Sequence, residues 1–201
     1  MSSKVMSDAE IWEKLTEDNE NAFSLLFKRY YPVMMNYGRS ITRHHYMVSD
    51  CIQEVFTDLW MYRNSVVMPE SVKAYLLSSL RKRIARKLER DRVFSNSTGI
   101  EDIEFSVTFT ILDQTIQDEE LTQQTRYLNS LLNQLPPRQQ EALYLRYYQQ
   151  LSIEEIASTM QINYQSAANL IHRSISQLRN LSKVEASYLL SVLLLITNFP
   201  Q

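Results

Sequence analysis

The chain has 201 residues, of which 21 are Lys or Arg and 23 Asp or Glu, giving a formal net charge of −2. A content of 44% hydrophobic and 22% charged residues is that of a folded globular chain rather than a disordered one, and the length suits one or two domains. Two glycines, five prolines and no sustained alternation of apolar and polar residues exclude a turn-rich β architecture, and the single Cys51 excludes an internal disulfide framework, so an all-α fold is expected.

The first predicted helix opens at Ser7, which with Glu10 has capping-box spacing, and carries Ile11, Trp12 and Leu15 at helical intervals. A second covers Ala22, Phe23, Leu26, Phe27 and Tyr30 and continues, with a bend expected at Pro32, through Met34 and Tyr37. From Ser49 a third places Ile52, Val55, Phe56, Leu59 and Trp60 on one face and Asp50, Gln53, Glu54, Thr57 and Asp58 on the other. The stretch from Tyr62 to Glu70 reads as a loop. Ser71 then starts a helix reaching about Asp91. It has two stripes, one apolar (Leu77, Leu80, Ile84, Leu88) and one basic (Arg83, Arg86, Lys87, Arg90), flanked by Arg81 and Lys82. Seven Lys or Arg against two acids within residues 81–92 are more than solubility needs, because like charges at i, i+4 destabilise a helix. A polyanion that neutralises the stripe would account for it.

Charge is distributed in three blocks. Residues 1–92 carry net +3, residues 93–125 carry seven acids and no base, and residues 126–201 carry net +2. The acidic middle contains Ser95-Asn96-Ser97-Thr98-Gly99 and has no helical period, so residues 95–120 are expected to be a linker. The sequence thus predicts two small helical domains, 1–94 and 121–182, joined by an acidic linker, with an apolar tail over 183–201. The apolar run of that tail, Tyr188 to Ile196, is about half of the ~20 residues that span a bilayer. A soluble, reducing, cytoplasmic setting is expected.

In the last block Leu128, Leu131, Leu132 and Leu135 form an apolar stripe that stops at Pro136-Pro137, and a new helix runs from there through Tyr147. Ser152-Ile153-Glu154-Glu155 is a second capping box, starting a short helix with Ile156, Ala157 and Met160 on its apolar side. The turn Gln161-Ile162-Asn163 leads to a helix from Tyr164 to about Leu181, with Asn163 as N-cap. This is the helix-turn-helix plan. In the second helix Ala167, Ile171, Ile175 and Leu178 are expected inside, and Gln165, Ser166, Asn169, His172, Arg173 and Ser176 outside. That outer set contains no carboxylate. Gln and Asn match the major-groove edge of adenine, and Arg suits guanine or phosphate. A helical hairpin with a merely polar surface is the plainer alternative.

The run Leu135-Pro136-Pro137-Arg138-Gln139-Gln140-Glu141-Ala142-Leu143, then Leu151 to Ala157, His172-Arg173-Ser174 and Leu178-Arg179, resembles the C-terminal promoter-binding domain of extracytoplasmic-function sigma factors of the sigma-70 family. Ala22-Phe23 with Tyr30-Tyr31-Pro32, then Asp50 to Trp60, resembles their N-terminal domain. The resemblance implies an RNA polymerase initiation factor that is not an enzyme and needs no metal or cofactor. It implies that Asp50, Gln53, Glu54, Thr57 and Asp58 contact core polymerase. Asn64, Ser65, Tyr75, Arg81, Lys82, Arg83, Arg86 and Lys87 would then capture and track the −10 element. Gln165, Ser166, Asn169, His172 and Arg173 would read the −35 element. The expected partners are RNA polymerase core, promoter DNA and a membrane-anchored anti-sigma factor, with a monomer when free of polymerase. Ala168 and Leu170 stand where relatives often carry Lys or Arg, which removes phosphate contacts. A stand-alone helix-turn-helix regulator with a helical sensor domain is the alternative; it would bind palindromic duplex as a dimer. The three histidines form no metalloprotease motif or triad arrangement, and no glycine-rich phosphate loop is present, so the sequence gives no support for catalysis.

Overall fold

The computed structural model of the chain describes residues 6–95, 105 and 119–181. Contacts divide it into two units, residues 1–100 and 101–201, and no strand occurs among the described residues. The tail over 183–201 and all of the expected linker except Ser95, Phe105, Glu119 and Glu120 lie outside the described residues.

The N-terminal unit is built from four helices: α1 (Asp8–Thr16), α2 (Glu20–Ile41), α3 (His45–Met61) and α4 (Val72–Ser95). The Ser7 capping box forms as its spacing predicts: the Glu10 carboxylate accepts from the Ser7 N–H at 2.7 Å, and the Ser7 hydroxyl accepts from the Glu10 N–H at 3.2 Å. Asn19 caps α2 through its side-chain oxygen, which accepts from Ala22 N–H. α2 runs on through Pro32. Pro32 lies on the exposed side, so the carbonyl it leaves unpaired can reach water. α3 begins at His45, four residues before the expected Ser49; in its first turn His45 and Tyr46 are exposed and Val48 is buried. Ser71 caps α4, accepting from Ala74 N–H at 3.3 Å.

The core of this unit is Trp12, Leu15, Leu26, Met34, Tyr37, Ile52, Phe56, Leu59, Leu76, Leu77, Leu80 and Ile84. α2 packs on α1, α3 and α4, and α2, α3 and α4 converge at Gly38. A β-carbon there would stand 2.4 Å from Val48 Cγ1 and 3.4 Å from Ile84 Cδ1, so only glycine lets the helices approach this closely. Leu88 and Trp60, both expected on apolar faces, are half-buried instead. Trp60 packs against Phe23 at 5.1 Å, with the Arg63 guanidinium 4.3 Å from its ring centre.

The C-terminal unit comprises α5 (Glu119–Leu132), α6 (Pro137–Leu143), a π-helical turn (Tyr144–Tyr148), α7 (Ile153–Met160) and α8 (Tyr164–Leu181). Leu128, Leu131, Leu132 and Leu135 are buried as their spacing predicts. The helix expected to run uniformly through Tyr147 instead widens into the π turn, where Gln149 N–H donates to Tyr144 C=O at 3.0 Å. This brings Tyr144 under Tyr148, stacked at 4.9 Å, and lets Gln149 donate to the buried Tyr144 hydroxyl. Burial pushes the Tyr144 phenol far up. Phe105, inside the acidic stretch, is only 3% exposed and meets Tyr144 edge-on at 5.8 Å. Phe105 is therefore docked on the C-terminal unit rather than solvated.

Candidate nucleic-acid interface

α7 and α8 form the helix-turn-helix. Ser152 and Glu155 close the second capping box, and the chain turns at Gln161, whose φ of 56° lies in the left-handed region. The Ile162 N–H reaches back to Ala157 C=O, and Asn163 accepts from Ser166 N–H at 2.7 Å, which starts α8. The inner face of α8 is Ala167, Ile171, Ser174 and Leu178. Ser174 takes the place expected for Ile175, which is half-buried. A hydroxyl can occupy that position because it donates to Leu170 C=O at 2.6 Å and lies 3.5 Å from Gln139 C=O on α6.

This packing presents Gln165, Asn169, His172 and Arg173 to solvent, with Ser166 half-exposed beside them. Gln165 Nε2 donates to Asn169 Oδ1 at 3.3 Å, aligning the two amides one turn apart. Tyr164, half-exposed as the first residue of α8, lies on the opposite side of the helix from Arg173. α8 carries Arg173 and Arg179 and no acid. The result is a carboxylate-free rod with amides and a guanidinium on one side. Such a surface can hydrogen-bond base edges and phosphates.

In the N-terminal unit, Asp50, Gln53, Thr57 and Asp58 are exposed on α3 and Glu54 is half-exposed. The residues expected on α4 separate into three environments. Arg81 is buried. Arg83 pairs with Glu54 at 3.0 Å and also with Asp58, and Lys87 pairs with Glu54 at 2.8 Å. Lys82 and Arg86 are exposed, as is Arg90 beyond them, and none of the three has an ion-pair partner among the described residues. Much of the stripe's self-repulsion is thus relieved inside the chain, by carboxylates of α3. The hydrogen bond from Lys87 holds the Glu54 carboxyl below its usual range, and Glu54 in turn raises the Lys87 ammonium. A groove at this junction is lined by Glu54, Arg83, Arg86, Lys87, Glu89 and Arg90.

Tyr75 turns inward, edge-on to Trp12 at 5.7 Å. Asn64 and Ser65 are exposed in the loop after α3, where the Ser65 hydroxyl donates to Tyr62 C=O at 2.9 Å. Arg63 fastens the loop's base by pairing with Asp18 and covering Trp60. Tyr62, Val67 and Met68 are exposed around it; as a short apolar scatter without period, they gave no sequence signal. No group of three or more metal-ligating side chains occurs among the described residues, and no helix among them is long and apolar enough to cross a membrane.

Residues 125–178 match the family described as Sigma-70, region 4. Over 56 residues the chain is 38% identical to the RNA polymerase sigma-F factor of Kitasatospora aureofaciens, a stretch that is 28% of this chain and 19% of that protein. The chain therefore spans about a fifth of the length of this curated relative. The fold is similar to that of the sigma factor RpoE in its complex with the anti-sigma factor NepR from Bartonella quintana. That likeness has a TM-score of 0.57 at 21% identity, over 81% of this chain and 98% of the other. It is also similar to CnrH in complex with the cytosolic domain of CnrY, with a TM-score of 0.55 at 18% identity, over 85% and 94%. The helix-turn-helix seen in α7 and α8 lies inside the matched segment, apart from the last residues of α8. Residues 125–178, which hold the helix-turn-helix, thus form a segment similar to region 4 of sigma-70 factors.

Proposed function

We propose that the protein is an extracytoplasmic-function type sigma factor: it binds core RNA polymerase, recognises −35 and −10 promoter elements and starts transcription. The observation that carries this reading is the exposed, carboxylate-free face of α8 within the region 4 match. In this role α8 enters the major groove of the −35 element, and Gln165, Asn169 and Arg173 meet base edges from its first turns. Ser166 and His172 flank them. The loop carrying Asn64 and Ser65, with Tyr62 beside them, receives the unpaired strand of the −10 element, and the exposed cations of α4 follow its phosphates. Asp50, Gln53, Thr57 and Asp58 form the polymerase-contacting face of α3. Tyr75 and Arg81 serve this surface from within the fold, as supports for the loop and helix.

A net charge of −2 suits a subunit that grips promoter DNA only when polymerase holds it there. The free protein is a monomer, its place of action is the cytoplasm, and bond-making belongs to the polymerase. RpoE and CnrH are each seen with a protein partner, the former an anti-sigma factor. We extend to this chain a regulator of that kind, membrane-anchored. The test is transcription in vitro with purified core polymerase over genomic DNA. Start sites that require the protein and share two separated elements support the proposal; the same transcripts with and without the protein refute it.

A further inference from the structure

The basic stripe of α4 consists of two parallel rows with different surroundings. Lys82, Arg86 and Arg90 stand four residues apart, one line along the helix at about 6 Å per step. All three are exposed, and none has an ion-pair partner among the described residues. Arg83 and Lys87 form the second row and face α3. There Lys87 holds one oxygen of Glu54 and Arg83 the other, so both carboxylate oxygens are occupied by the protein's own cations. Arg83 also pairs with Asp58, one turn along α3. Glu54 and Asp58 would otherwise repel at i, i+4.

We infer that Glu54, Arg83 and Lys87 are positioning residues, an ionic clasp that fixes α3 against α4 and sets Asp58 for polymerase, while strand phosphates are held by Lys82, Arg86 and Arg90. This deepens the sigma-factor proposal and rests on it. Moving Arg83 or Lys87 to a phosphate would exchange one anion for another and leave the α3 carboxylates uncompensated beside the strand. The outer row can bind phosphate without breaking any of these pairs. The mutual shifts of Glu54 downward and Lys87 upward keep both charged around neutral pH.

The test uses the full chain assembled with core polymerase and a fluorescent, mixed-sequence single strand of fifteen nucleotides, titrated at several salt concentrations. Core affinity is measured separately, and Trp fluorescence confirms the fold of each variant. Each lost phosphate contact lowers the salt slope of single-strand binding by about 0.7. Arg86→Gln with Arg90→Gln is expected to lower the slope by about 1.4 with core affinity unchanged. Lys87→Gln is expected to leave the slope unchanged and weaken core affinity roughly two- to fivefold. Glu54→Lys combined with Lys87→Glu restores a pair of opposite charges and is expected to recover core affinity relative to either single change. A drop of about 0.7 in slope with Lys87→Gln overturns the inference. So does a charge exchange that binds core no better than both single variants. Failure of the unaltered protein to associate with core polymerase is a separate result that refutes the sigma-factor proposal itself.

Discussion

Phe105→Ala is expected to loosen the C-terminal unit. The ring is 3% exposed and meets Tyr144 at 5.8 Å. Burying ~200 Å² of aromatic surface at ~25 cal/mol/Å² stabilises by about 5 kcal/mol as an upper bound. Releasing Phe105 from its fixed conformation returns about 1–2 kcal/mol. The net loss is about 2–3 kcal/mol. For a urea dependence of about 1.5 kcal/mol per molar, the midpoint falls by between roughly 1 and 2 M. Both tryptophans, Trp12 and Trp60, belong to the N-terminal unit, so Trp fluorescence follows that unit alone while circular dichroism follows both. The dichroism transition of the C-terminal unit should move and the fluorescence transition should not. Unchanged unfolding in both signals would refute the anchoring role and make the stretch a plain spacer.

Arg173→Ala and Gln165→Ala should each cost about 1–3 kcal/mol in holoenzyme binding to the −35 element and relax one position of sequence preference; footprints with unaltered promoter choice would contradict the α8 assignment. Gly38→Ala places a methyl group against the buried, branched Val48 and should cost about 1–3 kcal/mol, read in the Trp fluorescence transition; wild-type stability would show that α2 and α3 can separate freely. Thr159 is fully buried with a hydroxyl that has no hydrogen-bond partner among the described residues, so Thr159→Val should stabilise the C-terminal unit by about 1 kcal/mol. A loss of stability there would mean that the hydroxyl is satisfied.

Local signals were legible because their partners are near in sequence. Ser7 with Glu10, Ser152 with Glu155 and Asn163 with Ser166 bond over three residues, and all form. The apolar periods of α1, α3 and α8 likewise located most buried side chains. What escaped depends on contacts far along the chain. Arg83 and Lys87 meet Glu54 and Asp58 across 25 to 33 positions, and a single helix's charge pattern cannot reveal that pairing. Phe105 is one apolar residue in an aperiodic acidic stretch, so no repeat marks it as an anchor. The π turn after Leu143 inserts no breaker residue, and Ser174 is buried in place of Ile175 because a neighbouring carbonyl satisfies its hydroxyl. Of the candidate interface, the outer face of α8 was readable from spacing; the division of the α4 cations into paired and exposed rows required the fold.

The most direct measurement is association of the purified, labelled protein with core RNA polymerase, followed by footprinting of the complex on promoter DNA. The account predicts a one-to-one complex, formed from a monomer, that protects two unlike elements on asymmetric DNA. A protein that ignores the polymerase and occupies a symmetric duplex as a dimer would contradict it.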